Sequence, residues 1–356
     1  MIAKVAQRIV EELSSAIIGA ERTAKLMLTS LLAGGHILLE GVPGLAKTML
    51  VKGLARLLGL TEATIQLDGI PFRGFTRVQC TPDLMPSDIT GSLVYNPRTL
   101  DFEPRFGPVF TYILLADEVN RAIPRTQSAL LQAMQEKEVT IGLRTYRLED
   151  RDRGKFFFVA ATQNPVEQEG TYKLPEAQLD RFLMRLIVDY PRTLEEEKAI
   201  LRLHMARLTE PIEDLKPAAT PTWVTESQRY VAEQVKATEE ALELITRLVR
   251  YTRPQHHEPA RELLKLGASP RAAVSLLKAA KAHAALSGAA KATPEDVAEV
   301  AYPVLNHRLI PNPQKLIELK LKGQPYTAEY RIAEKALNMA LEKAKEHIKH
   351  TATRLM

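Results

Sequence analysis

Of 356 residues, one is cysteine, Cys80. A lone cysteine excludes an internal disulfide framework and a cysteine-based zinc site within one chain. No apolar run approaches the roughly 18 residues that a membrane span needs. Aromatic residues are scarce, at 6%, and the 26% of charged residues mix both signs. The net charge is +5, yet there is no Lys/Arg block and no basic stripe interleaved with aromatics. That pattern reads as a mildly basic surface, so nucleic acid is disfavoured as a partner. Internal repeats and low-complexity tracts are also missing. Residues 1–20 carry Lys4, Arg8, Glu11 and Glu12 in an amphipathic pattern, which predicts a helix and no signal peptide. These absences point to a soluble, cytoplasmic protein. Its apolar content of 45% can build one large or two ordinary cores.

What is present begins with Gly41-Val42-Pro43-Gly44-Leu45-Ala46-Lys47-Thr48. The apolar run His36–Leu39 precedes it and reads as a buried strand. Helical apolar spacing follows from Met49. Strand, glycine-rich turn and Lys-Thr opening a helix is the setting of a phosphate-binding P-loop. Glycine lets the backbone curl until several N–H groups face one phosphate, and the helix N-terminus adds partial positive charge. The cradle would comprise Gly41, Pro43, Gly44, Leu45, Ala46, Lys47, Thr48 and Met49. Lys47 would reach the β- and γ-phosphates of ATP, and the Thr48 hydroxyl would ligate Mg²⁺. Ala46 stands where the usual pattern has glycine; a small residue fits there if its backbone is helical.

A second motif supports the first. Thr111–Glu118 is an apolar strand ending in two acids. Adjacent carboxylates after a buried strand are costly unless a cation or solvent compensates them. Asp117 at the strand end can hold the Mg²⁺ shell, and Glu118 can polarise a water for attack on the γ-phosphate.

Strand-like runs at His36–Leu39, Thr64–Leu67, Tyr112–Leu115, Phe156–Ala160 and Arg185–Val188 alternate with helical patterns. This predicts an α/β nucleotide-binding core over residues 1–205, with a parallel sheet covered on both faces. Ligands then sit at the strand C-termini, where the P-loop and the two acids fall. Two β-hairpins interrupt the alternation. Ser92–Tyr95 and Thr99–Phe102 flank Asn96-Pro97-Arg98, and Val139–Ile141 and Arg144–Tyr146 flank Gly142-Leu143. Pro211, Pro217 and Pro221 mark 206–223 as a linker. Residues 224–356 read as an all-α domain with a helical tail. Ser269-Pro270 and Thr293-Pro294-Glu295-Asp296 are helix starts, the second with a capping box.

The motifs then resemble a known family. They are Gly34–Thr48, Thr81–Gly91, Ala116–Ala122, Ala161–Tyr172, Pro175–Phe182 and Gly267–Ala272. Their order and density resemble the AAA+ ATPases, and among them the MoxR family, over roughly residues 17–311. That family often carries alanine at the position of Ala46. The resemblance implies an αβα P-loop core, β-hairpin inserts and a C-terminal all-α lid. It implies that Asn164 is the sensor-1 residue, touching the γ-phosphate or the attacking water, although asparagine is also a common turn residue. Arg271 resembles the sensor-2 arginine; in the first turn of a helix it opposes the dipole unless a phosphate lies near. Arg181 resembles the arginine finger that reaches a neighbouring subunit's nucleotide, with Arg185, one helical turn on, as the fallback. An ion pair of Arg181 with Asp180 or Glu176 is the alternative. Ile18, in Ile17-Ile18-Gly19, resembles the segment packed on adenine, although Ala20 replaces the glutamine frequent there. In the first hairpin Pro104 stands where the family usually has an aromatic.

The implied activity is Mg²⁺-dependent ATP hydrolysis by a self-associated ring, a hexamer. The ring would remodel or mature protein complexes, beside a von Willebrand factor A (VWA) domain partner. This chain has no Asp-x-Ser-x-Ser motif of its own. A helicase-like nucleic-acid motor and a metal-chelatase motor subunit are the alternatives within the same clade.

Overall fold

The computed structural model describes residues 2–67, 69–166, 170–321 and 327–354. Glu167, Gln168 and Glu169 of the Ala161–Tyr172 motif, and Gly323 at the start of the tail, lie outside the described residues. The chain divides into two compact units, Ala3–Arg181 with Leu186–Gln228, and Phe182–Arg185 with the chain from Arg229 onward.

The first unit opens with helices α1 (Ile2–Ala16) and α2 (Glu21–Leu32), then β1 (Ile37–Glu40) and α3 (Lys47–Leu57). Strands β2 (Thr64–Leu67) and β3 (Ile70–Gln79) follow, then the short α4 (Pro86–Thr90) and the hairpin β4 (Gly91–Asn96) and β5 (Asp101–Phe106). Next come β6 (Thr111–Asp117), α5 (Pro124–Glu136), the hairpin β7 (Glu138–Ile141) and β8 (Arg144–Arg147), and β9 (Phe158–Gln163). The short α6 (Glu176–Leu179), β10 (Met184–Ile187), α7 (Leu194–His204) and α8 (Pro221–Glu233) complete the order.

The main sheet runs β10-β1-β9-β6-β3-β2. Its interior pairs, β1–β9, β9–β6 and β6–β3, are parallel. All seven residues of β6 are buried, as are all four of β1. Continuous burial is what a sheet covered on both faces demands, and each buried Leu or Ile contributes about 1.5–3 kcal/mol.

Two features depart from the sequence reading. Thr64–Leu67, expected as a buried strand, is largely exposed and pairs antiparallel with β3 at the sheet edge. The interior position belongs to β3, whose Pro71, Gly74, Arg73 and Arg77 break any apolar pattern. Gly74 is needed there: a Cβ would stand 2.6 Å from Thr61 N and 2.7 Å from Thr61 O.

Both hairpins form, in the expected places. Pro104 sits within β5 opposite Leu93; a two-stranded ribbon has a free edge that tolerates a missing N–H.

The second unit is mainly helical, with α9 (Glu239–Tyr251), α10 (Glu258–Leu263), α11 (Pro270–Leu286), α12 (Pro294–Leu305), α13 (Pro313–Leu321) and α14 (Ala328–Arg354). The α9 face Ala241, Leu244, Ile245, Leu248 and Val249 is buried. It packs against α14, which buries Ala333, Ala336, Leu337, Ala340 and Ala344. The Ser269 side chain caps α11 by accepting from Ala272 N, and Thr293 with Asp296 forms the capping box of α12. No described helix is long and apolar enough to cross a membrane.

Candidate active site

Strand β1 ends at Glu40, and the chain turns through residues 41–46 into α3. Gly41 is required at the turn, because a Cβ there would lie 2.3 Å from the Val188 carbonyl oxygen. Ala46 departs from the expected helical backbone: with φ 53 and ψ 21 it is left-handed. That region costs an L-residue about 1–2 kcal/mol, which explains why glycine is usual at this place. The loop closure imposes this conformation on Ala46 before the helix begins at Lys47.

Lys47 Nζ donates to Gly41 O and Val42 O, both at 2.7 Å. The ammonium is thereby folded over the loop. Burial lowers its pKa, an effect opposed by the charges of Asp117, Glu118 and Glu40.

Thr48, on the first turn of α3, meets the end of β6. Its Oγ1 donates to Asp117 Oδ2 at 3.1 Å. Asp117 is 6% exposed. Its Oδ2 also accepts from Arg77 Nε at 3.0 Å and Nη2 at 2.7 Å, and its Oδ1 accepts from the Thr162 hydroxyl. Glu118, the next residue, is left-handed as well, with φ 56 and ψ 51. Its N–H donates to Thr162 Oγ1 at 2.8 Å, and its Oε2 accepts from Gln79 Nε2 at 2.7 Å. Arg121 Nε lies 3.3 Å from the same oxygen. A non-glycine residue held in this region stores about 1–3 kcal/mol, a cost typical of functional positions.

Arg77, Gln79 and Thr162 were not singled out from the sequence. They arrive by register: β3 runs parallel to β6 with Gln79 beside Asp117, and alternation puts Arg77 on the same face. A pair of polar residues two apart near a strand end, inside an otherwise mixed run, was the available signal.

Asn164 follows β9 and is buried. Its Oδ1 accepts from Val166 N at 3.1 Å, forming a local turn, and its carbonyl accepts from Asn120 Nδ2 at 3.4 Å. Gln127 of α5, fully buried, donates to Val119 O, Ala122 O and Tyr172 O, which ties the segment after Glu118 to the segment after Asn164. Cys80 is buried beside these acids, and burial first, then the charges of Asp117 and Glu118, push its thiol pKa up to about 12.

The other expected site residues stand on other elements. Ile18 is half-buried in the turn between α1 and α2. Arg181 follows α6, half-buried, and its side chain makes no ion pair among the described residues. Arg271 is exposed in the first turn of α11, in the second unit.

Thr48 and Asp117 offer a hydroxyl and a carboxylate, hard oxygen donors suited to Mg²⁺. Among the described residues no group of three or more His, Cys, Asp or Glu could form a metal cage. Mg²⁺ needs none, because it is commonly held by one or two protein oxygens together with phosphates and water.

Residues 36–184 match the ATPase family associated with various cellular activities, and residues 258–320 match the AAA lid domain. The chain is 38% identical to Chaperone MoxR1 of Mycobacterium tuberculosis, over 85% of this chain and 75% of that protein. It is 31% identical to Protein MoxR of Methylorubrum extorquens, over 86% and 88%. The chain belongs to the MoxR family of AAA+ ATPases. YeaC of Bacillus subtilis is 43% identical over 87% of this chain and 88% of its own. The crystal structure of a candidate ATPase from Cytophaga hutchinsonii superposes with a TM-score of 0.78 at 38% identity, covering 95% of this chain and 94% of that one.

As a MoxR-family AAA+ ATPase, the protein binds nucleotide, and its fold is the α/β core with a C-terminal helical region. Arg185, the fallback finger, is not a helical turn from Arg181 but lies in β10 and is 7% exposed. Its Nε donates to Asn306 Oδ1 at 2.8 Å and its Nη2 to Asn306 O at 3.1 Å, with the Tyr330 ring 5.1 Å from its guanidinium.

Proposed function

We propose that this MoxR-family ATPase hydrolyses ATP with Mg²⁺ at the Lys47–Thr48–Asp117–Glu118 cluster. The observation that carries the reading is the meeting of Thr48 Oγ1 with Asp117 Oδ2 at 3.1 Å, with Lys47 and Glu118 as their chain neighbours. The loop from Gly41 to Met49 cradles the phosphates through its N–H groups and the α3 N-terminus. Lys47 neutralises the β- and γ-phosphates. Thr48 and Asp117 hold the metal, which when bound draws charge from the phosphate oxygens. Glu118 orients and polarises the attacking water. Asn164 supplies an amide to that water or to the γ-phosphate, Arg271 a further cation, and Ile18 an apolar contact to adenine. The division into a core of residues 1–205, a linker of 206–223 and a lid of 224–356 belongs to the same reading.

The active form in this reading is a cytoplasmic ring, a hexamer. Arg181 supports it, because its guanidinium makes no ion pair among the described residues and can serve a neighbour's nucleotide. Arg185 is engaged by Asn306, so Arg181 is the finger. The ring remodels or matures protein complexes, with a VWA-domain protein beside it. The name Chaperone MoxR1 carried by a relative supports that role. The mixed surface charge counts against a nucleic-acid motor.

Two variants test this. Lys47→Ala abolishes ATP turnover; unchanged turnover would remove the site assignment. Glu118→Gln retains ATP without hydrolysing it and is recovered from its native lysate with ATP. Capture of a VWA-domain protein together with other proteins supports remodelling. Capture of nuclease-sensitive complexes replaces it with a nucleic-acid motor, and capture of chelatase subunits with a chelatase motor.

A further inference from the structure

Asp117 Oδ2 carries more donors than it has lone pairs. Thr48 Oγ1 at 3.1 Å, Arg77 Nε at 3.0 Å and Arg77 Nη2 at 2.7 Å make three donors on one oxygen. The other oxygen takes the Thr162 hydroxyl. A carboxylate oxygen offers about two lone-pair sites. The crowded oxygen is the one facing Thr48, the other residue assigned to the metal. The guanidinium therefore stands where a metal or its water would bond.

The two partners differ in freedom. The Arg77 side chain is 51% exposed, whereas that of Asp117 is 8% exposed. Arg77 can swing into water; Asp117 cannot leave. A carboxylate this buried is strongly unfavourable without a cation, and here it adjoins Glu118. Arg77 Nη2 also donates to Gln79 Oε1 at 3.0 Å, so a displaced guanidinium keeps a partner close by.

We propose that Arg77 is the counter-cation of Asp117 in the metal-free site and competes with Mg²⁺ for Oδ2. The proposal rests on the reading of Asp117 as a metal ligand. It has a consequence for linkage. With Arg77 present, nucleotide meets a neutralised Asp117 even without metal, and metal binding exchanges one cation for another. Without Arg77, the triphosphate meets an unpaired carboxylate until metal arrives. The coupling between metal and nucleotide is therefore weaker in the native protein than in a variant lacking Arg77.

The test is equilibrium binding of the ATP analogue AMP-PNP to the full-length protein by calorimetry, once in Mg²⁺ and once in EDTA. The ratio of the two dissociation constants, EDTA over Mg²⁺, measures the coupling. In Arg77→Gln the ratio rises by about fivefold or more, and in Arg77→Lys, which keeps the charge, it rises less. Arg77→Met serves equally if the Gln variant does not fold. A ratio that is unchanged or lower in the neutral variants overturns the proposal and makes Arg77 a fixed part of the metal site. Asp117→Asn separates the two levels: it should lower the ratio clearly below that of the native protein, because one of the two protein ligands loses its charge. If the ratio is unchanged, Asp117 is not a metal ligand, and both the reading and the proposal fall.

Discussion

Thr48 Oγ1 and Asp117 Oδ2 lie 3.1 Å apart, joining positions separated by 69 residues. The contact brings the start of α3 against the end of β6. If Thr48 and Asp117 hold Mg²⁺ as proposed, Thr48→Ala removes a metal ligand, and Asp117 loses one donor. ATP turnover should fall by about 100-fold or more, with a raised Mg²⁺ requirement, since metal-borne charge stabilisation is worth several kcal/mol. Binding of ADP in EDTA should change little. A Mg²⁺ titration of steady-state turnover, paired with ADP calorimetry, checks both halves.

Ala46 holds a left-handed backbone that suits glycine. Ala46→Gly should raise stability by up to about 1 kcal/mol, because relief of the strained φ outweighs the added freedom of the unfolded chain. Ala46→Val should destabilise, since a β-branched residue resists this region. Urea unfolding midpoints at constant m-value decide it; a Gly variant less stable than the native protein would contradict the strain.

A finger supplied across a subunit boundary predicts complementation. Arg181→Ala alone and Lys47→Ala alone should each lose nearly all turnover, the former by about 10³-fold or more. Mixing the two should restore activity, because some sites then combine an intact Lys47 with a neighbour's intact Arg181. Mixtures no more active than the separate variants would show that Arg181 acts within its own chain or not at all.

His36 links α5 to β9. Its Nε2 donates to Met134 O at 3.0 Å and its Nδ1 accepts from Val159 N at 3.0 Å, so the neutral ring is fully used. Burial, with help from the charge of Lys137, lowers its pKa from 6.5 to about 3. The unfolded chain therefore binds the proton more readily, and stability falls as pH drops below about 6.5. The loss is about 1.4 kcal/mol per unit, or about 2 kcal/mol by pH 5, and it levels off below pH 3. His307 is buried and depressed in the same direction and adds to the slope. Urea midpoints between pH 7 and pH 5 measure this, and His36→Gln should flatten the curve.

The strand–turn–helix from Ile37 to Leu57, both hairpins and the caps at Ser269 and Thr293 were legible in the sequence because each is local. Glycine placement, turn residues and capping side chains act within a few residues of the backbone they shape. Strand β3 was not legible. Its Pro71, Gly74 and two arginines suit its particular neighbours, and no short-range rule anticipates them. Arg77, Gln79 and Thr162 were missed for the same reason. They reach the acids from 40, 39 and 45 positions away.

The sequence by itself determined the family, the α/β core with a helical C-terminal region, and the residue types that lie on the glycine-rich turn before α3 and at the end of β6. Those follow from local chemistry that a short motif carries whole. Tertiary structure decided the rest. It set the left-handed backbone of Ala46 and Glu118, the burial of Arg185 against Asn306, and the crowding of Asp117 Oδ2 by Arg77 and Thr48. Each depends on strand register and loop closure, which are settled only when segments distant in the chain pack together.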